Sequence, residues 1–271
     1  MFHLSADPAV DDLSRRRHTV RAVHPVRPAH RVMLRAALVV AGVATLLTAL
    51  APAPARADYK AGYLAYKAGK FRTAQQEWQD AAPTDPRSAY GLGLLYYRGK
   101  TGAQDYDNAA KWFGVAARAN HPGALYYMGL FYLNGWGVPY DQFKATDYLE
   151  RALKTNDKNA EAAYILGDQY MHGRGAMQNY VDAANYYLKA AQIGLPAGQY
   201  MIGAMYERGW GVNQDLAEAY YWLRLSALNP INTPPGTELD ADPQKAIALL
   251  EQKLRPEEIQ HVEDRLGSTI R

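Results

Sequence analysis

The chain contains no cysteine, which excludes disulfides, thiolate metal sites, a cysteine nucleophile and a lipid anchor on cysteine. Beyond residue 57 it is also poor in histidine: His121, His172 and His261 remain, none of them spaced as a ligand pair. Zinc sites need three or four converging ligands, so no metal and no cofactor is expected. Serine is as scarce there. Ser88, Ser226 and Ser268 stand at repeat edges or in the tail, outside any recognisable nucleophile context, so no catalytic residue is assigned.

An excess of positive charge is missing too. The formal net charge is +3, but 8 of the 30 Lys and Arg and only 3 of the 27 Asp and Glu lie in residues 1–57, leaving 22 basic against 24 acidic groups. A face that neutralises nucleic-acid phosphates must be basic, so no nucleic-acid partner is expected. What the chain does have is hydrophobic residues, 48%, enough for a sizeable core, and tyrosine, 21 residues against 5 Phe. Tyrosine at that density suits helix interfaces that are half apolar and half wet.

Residues 1–57 read as an address. Ala36–Leu50 carries no charge, follows Arg35 and precedes Ala-Pro-Ala-Pro-Ala-Arg-Ala, the order of a secretory signal with a cleavage site at Ala55-Arg56-Ala57. Residues 33–57 are therefore the signal peptide, and the mature chain starts at Asp58, in the periplasm or outside the cell. An uncleaved membrane anchor is the alternative, against which Pro52 and Pro54 argue. Residues 1–32 form a basic extension with Pro25 and Pro28, and Met33 is an alternative start of translation. Arg15-Arg16 lies too far before the apolar run for a good twin-arginine signal.

The rest is periodic. Leu92-Gly93, Met128-Gly129, Leu166-Gly167 and Ile202-Gly203 recur at spacings of 36, 38 and 36. Tyr96, Tyr132, Tyr170 and Tyr206 follow three residues later, then Gly99, Gly135, Gly173 and Gly209. The register continues through Asp105, Asp141, Asn179 and Asp215, then Ala109, Ala145, Ala183 and Ala219, then Trp112, Tyr148, Tyr186 and Trp222. The two-residue insertion falls at Thr155–Lys158, where a loop absorbs it.

Each position has a physical reason. Gly93, Gly129, Gly167 and Gly203 let two helix backbones approach, and the tyrosine one turn later is expected to fill the gap beside them. The next glycines end the first helix in a left-handed conformation. Asp141, Asn179 and Asp215 cap the second helix, Asp215 with Glu218 as a capping box. Asp85-Pro86 opens the first full repeat.

These residues resemble the Sel1-like repeat family, kin of tetratricopeptide repeats, over residues 88–227. The pattern is best kept in Ala197–Ala227, with its Gly209-Trp210-Gly211-Val212 turn. The resemblance implies an all-α, right-handed superhelical solenoid of antiparallel helix pairs, with four repeats over residues 88–228. Residues 58–87, with Tyr63-Leu64-Ala65-Tyr66, Phe71 and Trp78, look like a tetratricopeptide-type pair that caps the N-terminal end. Residues 229–271 combine an extended connector holding Pro230, Pro234 and Pro235 with two capping helices, one opened by Asp242-Pro243 and running to about Leu254, the other by Pro256 and running to about Leu266.

Tempting motifs have plainer readings. The Gly-x-Gly turns at 135–137, 173–175 and 209–211 follow helices rather than strands, so they are turns and not phosphate loops. Gly99-Lys100-Thr101 resembles the end of a phosphate-binding loop, but Leu94 stands where that motif needs glycine. The in-register column Tyr90, Tyr126, Tyr164 and Tyr200 reads as packing ahead of a stacking platform for sugars or bases.

A solenoid uses its concave face for partners. If the first helices line it, as in tetratricopeptide repeats, the inward positions that differ between repeats are Leu94, Tyr97 and Arg98; Leu130, Leu133 and Asn134; Asp168, Met171 and His172; and Ala204, Glu207 and Arg208. The groove then runs from apolar to charged and suits an amphipathic protein segment. The resemblance implies a non-enzymatic scaffold or regulatory binding protein of the cell envelope, with a protein or peptide partner there, glycan as the alternative, and no stable membrane insertion once the signal is cleaved. Cysteine-rich members of the family have been described as β-lactamases, but this chain lacks their disulfide framework.

Overall fold

The structure is a computed structural model and describes residues 59–269; the expected extension and signal peptide lie outside the described residues. All regular structure among them is helical. The helices come in pairs: α1 (Tyr59–Lys67) with α2 (Phe71–Ala81), α3 (Pro86–Tyr97) with α4 (Tyr106–Arg118), α5 (Pro122–Asn134) with α6 (Gln142–Thr155), α7 (Ala160–His172) with α8 (Tyr180–Ile193), and α9 (Pro196–Arg208) with α10 (Leu216–Ser226). Two further helices, α11 (Pro243–Glu251) and α12 (Pro256–Thr269), close the stack by packing on α10. From α1 to α11 each helix packs on the next in sequence, and two pairs of first helices also meet directly, α1 with α3 and α7 with α9. Direct meetings between first helices are what is expected if those helices line the inner side of the stack.

The helix boundaries follow from the repeat residues. Asp105, Asp141, Asn179 and Asp215 each accept backbone N–H groups from the first turn of the second helix. Their own N–H groups donate to the carbonyls of Tyr96, Tyr132, Tyr170 and Tyr206 at 2.9–3.1 Å. The turn is thus closed from both sides. Gly99, Gly135, Gly173 and Gly209 take φ of 59, 67, 68 and 70°, the left-handed conformation expected where a first helix stops. Only half of the capping box at Asp215 forms: the Glu218 N–H donates to the Asp215 side chain, but the Asp215 N–H goes to the Tyr206 carbonyl and the Glu218 carboxylate pairs instead with Arg265 of α12.

Packing within a pair depends on the glycines of the first helix, but the filling group is not the tyrosine one turn later. A Cβ on Gly93 would stand 2.5 Å from Phe113, one on Gly129 2.7 Å from Leu149, one on Gly167 2.7 Å from Tyr187 and one on Gly203 3.0 Å from Leu223. The filling residue is always twenty positions on, in the second helix, because that is where the antiparallel return brings the chain back. Phe113, Leu149, Tyr187 and Leu223 are all buried. The tyrosines at the expected positions are half-buried, and Tyr132 and Tyr170 stack on Tyr148 and Tyr186 with centroids 5.6 and 5.4 Å apart.

The second glycine of the Gly-x-Gly turns joins successive repeats. Gly137, Gly175 and Gly211 have positive φ, and a Cβ on each would collide with the backbone of Tyr106, Gln142 or Tyr180, the first residue of the preceding repeat's second helix. At the N-terminal end Trp78 wedges between α1 and α3, where Gly91 leaves room for its ring. At the other end, Arg224 pairs with Glu263 at 2.5 Å, Lys253 with Glu207 at 3.0 Å, and the Tyr220 hydroxyl lies 3.1 Å from the carboxylates of Glu251 and Glu263.

Candidate partner-binding face

The inner positions singled out from the sequence have unequal surroundings. In the first repeat Leu94 and Tyr97 are half-buried, while Arg98 is exposed and donates to the Tyr66 hydroxyl at 3.1 Å. Tyr97 belongs to an aromatic cluster with Tyr127, Phe131 and Trp136, all with centroids within 5.9 Å of its own. In the last repeat Ala204 and Glu207 are half-buried and Arg208 is exposed, its guanidinium 4.7 Å above the Trp210 ring. In the two middle repeats Leu130, Leu133, Asp168 and Met171 are buried. Asn134 turns back to donate to the Leu130 carbonyl at 2.8 Å.

Asp168 is a buried carboxylate on this face. Arg174 donates to it at 2.5 Å and His172, itself exposed, lies 3.1 Å away. Burial raises its pKa above the ordinary carboxylate value, and the charges of Arg174 and His172 work against that rise. Arg174 was not legible as a site residue, because it sits in the turn where the neighbouring repeats have Trp136 and Trp210. Gln104, Gln178 and Gln214 were also missed. Their amides donate to the carbonyls of Tyr97, Met171 and Glu207 at 2.6–2.9 Å, pinning the ends of α3, α7 and α9. They stand in register, each one residue before the cap of the second helix, and that is the signal that points to them.

The connector of residues 229–242 is non-helical and does not run clear of the stack. Gly236, with φ of 84°, comes so close to α5 that a Cβ on it would lie 3.0 Å from Asn134 and from Leu133. Beside it, Thr237 and Glu238 line a cavity of about 480 Å³ together with Asp168, His172 and Arg174. Part of the inner face is therefore covered by the chain's own connector.

In the tyrosine column, Tyr126 and Tyr164 are buried and Tyr90 and Tyr200 half-buried. The Tyr126 hydroxyl donates to Glu161 of the next repeat. Tyr90 stacks on His121 with centroids 4.4 Å apart, and burial pushes its hydroxyl up to about 12. Tyr90 and Tyr126 thus reach the next repeat, whereas Tyr164 packs on Tyr187 of its own repeat. Ser88 and Ser226 are buried and donate to Asp85 and to the Leu223 carbonyl. Among the described residues there is no group of three or more His, Asp or Glu placed to hold a metal ion, and no helix long and apolar enough to cross a membrane.

The Sel1 repeat family model matches residues 86–121, 122–156, 160–195, 196–229 and 235–252, in step with the helix pairs. The chain belongs to the Sel1 repeat family. The fifth matched Sel1 segment takes in part of the connector and α11, beyond the four repeats counted from the period. The crystal structure of a Sel1 repeat protein from Oxalobacter formigenes superposes with a TM-score of 0.58 at 26% identity, covering 63% of this chain and 70% of that one. Alginate biosynthesis protein AlgK of Azotobacter vinelandii is 30% identical over 194 residues, 71% of this chain and 39% of that protein. Chitin synthase regulatory factor 2 of Schizosaccharomyces pombe is 28% identical over 146 residues, 51% of this chain and 28% of that protein. The chain thus spans less than two fifths of the length of these curated relatives.

Proposed function

We propose that this Sel1 repeat chain is a non-catalytic scaffold or regulatory binding protein of the cell envelope, exported by a signal that ends at Ala57, and that the inner face of its first helices takes a protein segment. The observation that carries this reading is the division of labour within each repeat. The glycines and the groups that fill beside them hold a fixed frame. The inner positions Leu94, Leu130, Asp168 and Ala204, or Tyr97, Leu133, Met171 and Glu207, change chemistry from repeat to repeat. A frame that stays constant while one face varies is how solenoids recognise partners. That relatives are named for alginate biosynthesis and for chitin synthase regulation supports a role beside polysaccharide machinery.

The test is affinity capture from native envelope extract by the tagged full-length chain and by an Arg98→Ala, His172→Ala, Arg208→Ala variant, all three being exposed residues. A polypeptide held in fixed ratio by the native chain and lost by the variant is the expected result. Equal capture by both would remove the inner face from the account. N-terminal sequencing of the exported protein should begin at Asp58, whereas a start before Ala36 means an uncleaved anchor.

A second reading, glycan binding, is favoured by one feature. Tyr180 and Trp210 stack at 5.9 Å on the turn side, 42% and 37% exposed, with Arg208 over the indole. Titration with acidic oligosaccharides should quench tryptophan fluorescence if it is right, and leave it unchanged if it is not.

A further inference from the structure

We infer that residues 229–242 are a displaceable occupant of the inner face, and that the groove beneath them accepts an extended, proline-containing polypeptide with an acidic residue. The inference rests on the reading of the inner face as a protein-binding surface and adds what kind of segment fits it.

The connector is built as a closed loop. Ile231 near its start and Ala241 near its end line one cavity of about 420 Å³ together with Pro243, so the chain leaves and returns at the same place. Its tip reaches back to α5, where Gly236 abuts Leu133 and Asn134, and to α7, where Glu238 shares a cavity with His172 and Arg174. The positions beneath it in the middle repeats are buried, whereas their counterparts Leu94, Tyr97, Ala204 and Glu207 in the outer repeats stay half-buried.

The tip satisfies itself. The N–H and hydroxyl of Thr237 both donate to the Pro234 carbonyl, at 3.2 and 2.7 Å, and the Thr233 hydroxyl donates to the Thr237 carbonyl at 3.0 Å. Among the described residues no hydrogen bond or ion pair joins residues 229–242 to α5 or α7. The flanks differ: α10 and the C-terminal helices are joined by Arg224 to Glu263 and Arg265 to Glu218, and Lys253 reaches Glu207 of α9. A loop with both ends fixed and a tip held only by contact can lift without disturbing the helices, as compact surface loops with adjacent ends do. What lies in the groove is Thr-Pro-Pro-Gly-Thr-Glu, residues 233–238. A partner that replaces it must be similarly extended, with proline to limit the entropy lost on binding and a carboxylate for the Arg174 and His172 side.

The probe is a fluorescein-labelled synthetic peptide of residues 229–242, added to purified full-length protein and followed by anisotropy. Two variants open the groove. Gly236→Val puts a branched side chain where φ is positive and Leu133 and Asn134 are 3.0 Å away. The second replaces residues 232–239 with Gly and Ser at equal length. Both should bind the peptide about ten-fold or more tightly than the native chain, because the closed loop lowers the fraction of protein able to bind. A peptide carrying Glu238→Lys should bind more weakly. If the Gly-Ser variant keeps native helicity and fails to take the peptide, or the native chain binds it equally well, the inference is overturned. Peptide binding together with partner capture that ignores Arg98, His172 and Arg208 would keep the loop inference and remove the broader reading of the face.

Discussion

Gly167 of α7 and Tyr187 of α8 are twenty positions apart in the chain and in direct contact in the fold: the Tyr187 ring lies 2.7 Å from where a Cβ on Gly167 would stand. Tyr187 is fully buried, so the ring has nowhere to retreat. Gly167→Val should therefore force the two helices apart and cost about 1–3 kcal/mol or more. Thermal melting followed by circular dichroism measures it, and an unchanged midpoint would contradict the register of the repeats.

The two glycines of one turn should differ in their tolerance. Gly209 and Gly211 share φ of 70°, but a Cβ at 209 meets Gln214 only at 3.4 Å, while one at 211 runs into the Tyr180 carbonyl of the previous repeat. Gly209→Ala carries only the strain of a left-handed alanine, about 1–2 kcal/mol. Gly211→Ala adds a backbone collision that the interface between repeats must absorb. The second variant is expected to melt below the first, and the reverse order would show that the repeats are not joined there.

His121 links stability to pH. Its Nδ1 accepts the Ala124 N–H at 3.3 Å as the cap of α5, and its ring stacks on Tyr90. Burial holds its pKa below the ordinary histidine value, with Asp85 pulling the other way. A histidine kept neutral in the folded chain and freer to charge in the unfolded one stabilises the fold above the unfolded pKa. That contribution is lost as pH falls through it toward the lower folded value. Urea midpoints taken between about pH 7.5 and 5.5 should fall in the native chain and fall less in His121→Asn, which keeps a capping oxygen without the titration. Equal slopes would mean that the ring is not held neutral.

The repeat frame was legible because it rests on local chemistry that recurs. A left-handed glycine, a capping carboxylate and a proline at a helix start each show in a few adjacent residues. What fills beside Gly93 or Gly167 did not show, since the reading looked one turn along the same helix and the partner comes back twenty residues later. The return half of the capping box at Asp215 failed for a similar reason: Glu218 has a better partner in Arg265, forty-seven residues away. The connector was readable as non-helical from its prolines, but its position against Leu133 and Asn134 depends on tertiary contacts that no local pattern encodes. Arg174 became visible beside Asp168 only once the turn had folded.

The measurement that bears most directly on the account is hydrogen exchange of the chain alone and in complex with its captured partner. Binding through the inner face predicts added protection in α5, α7 and α9 and faster exchange in residues 229–242 as the loop gives way. Protection confined to α4, α6, α8 and α10, with the loop unchanged, would contradict it.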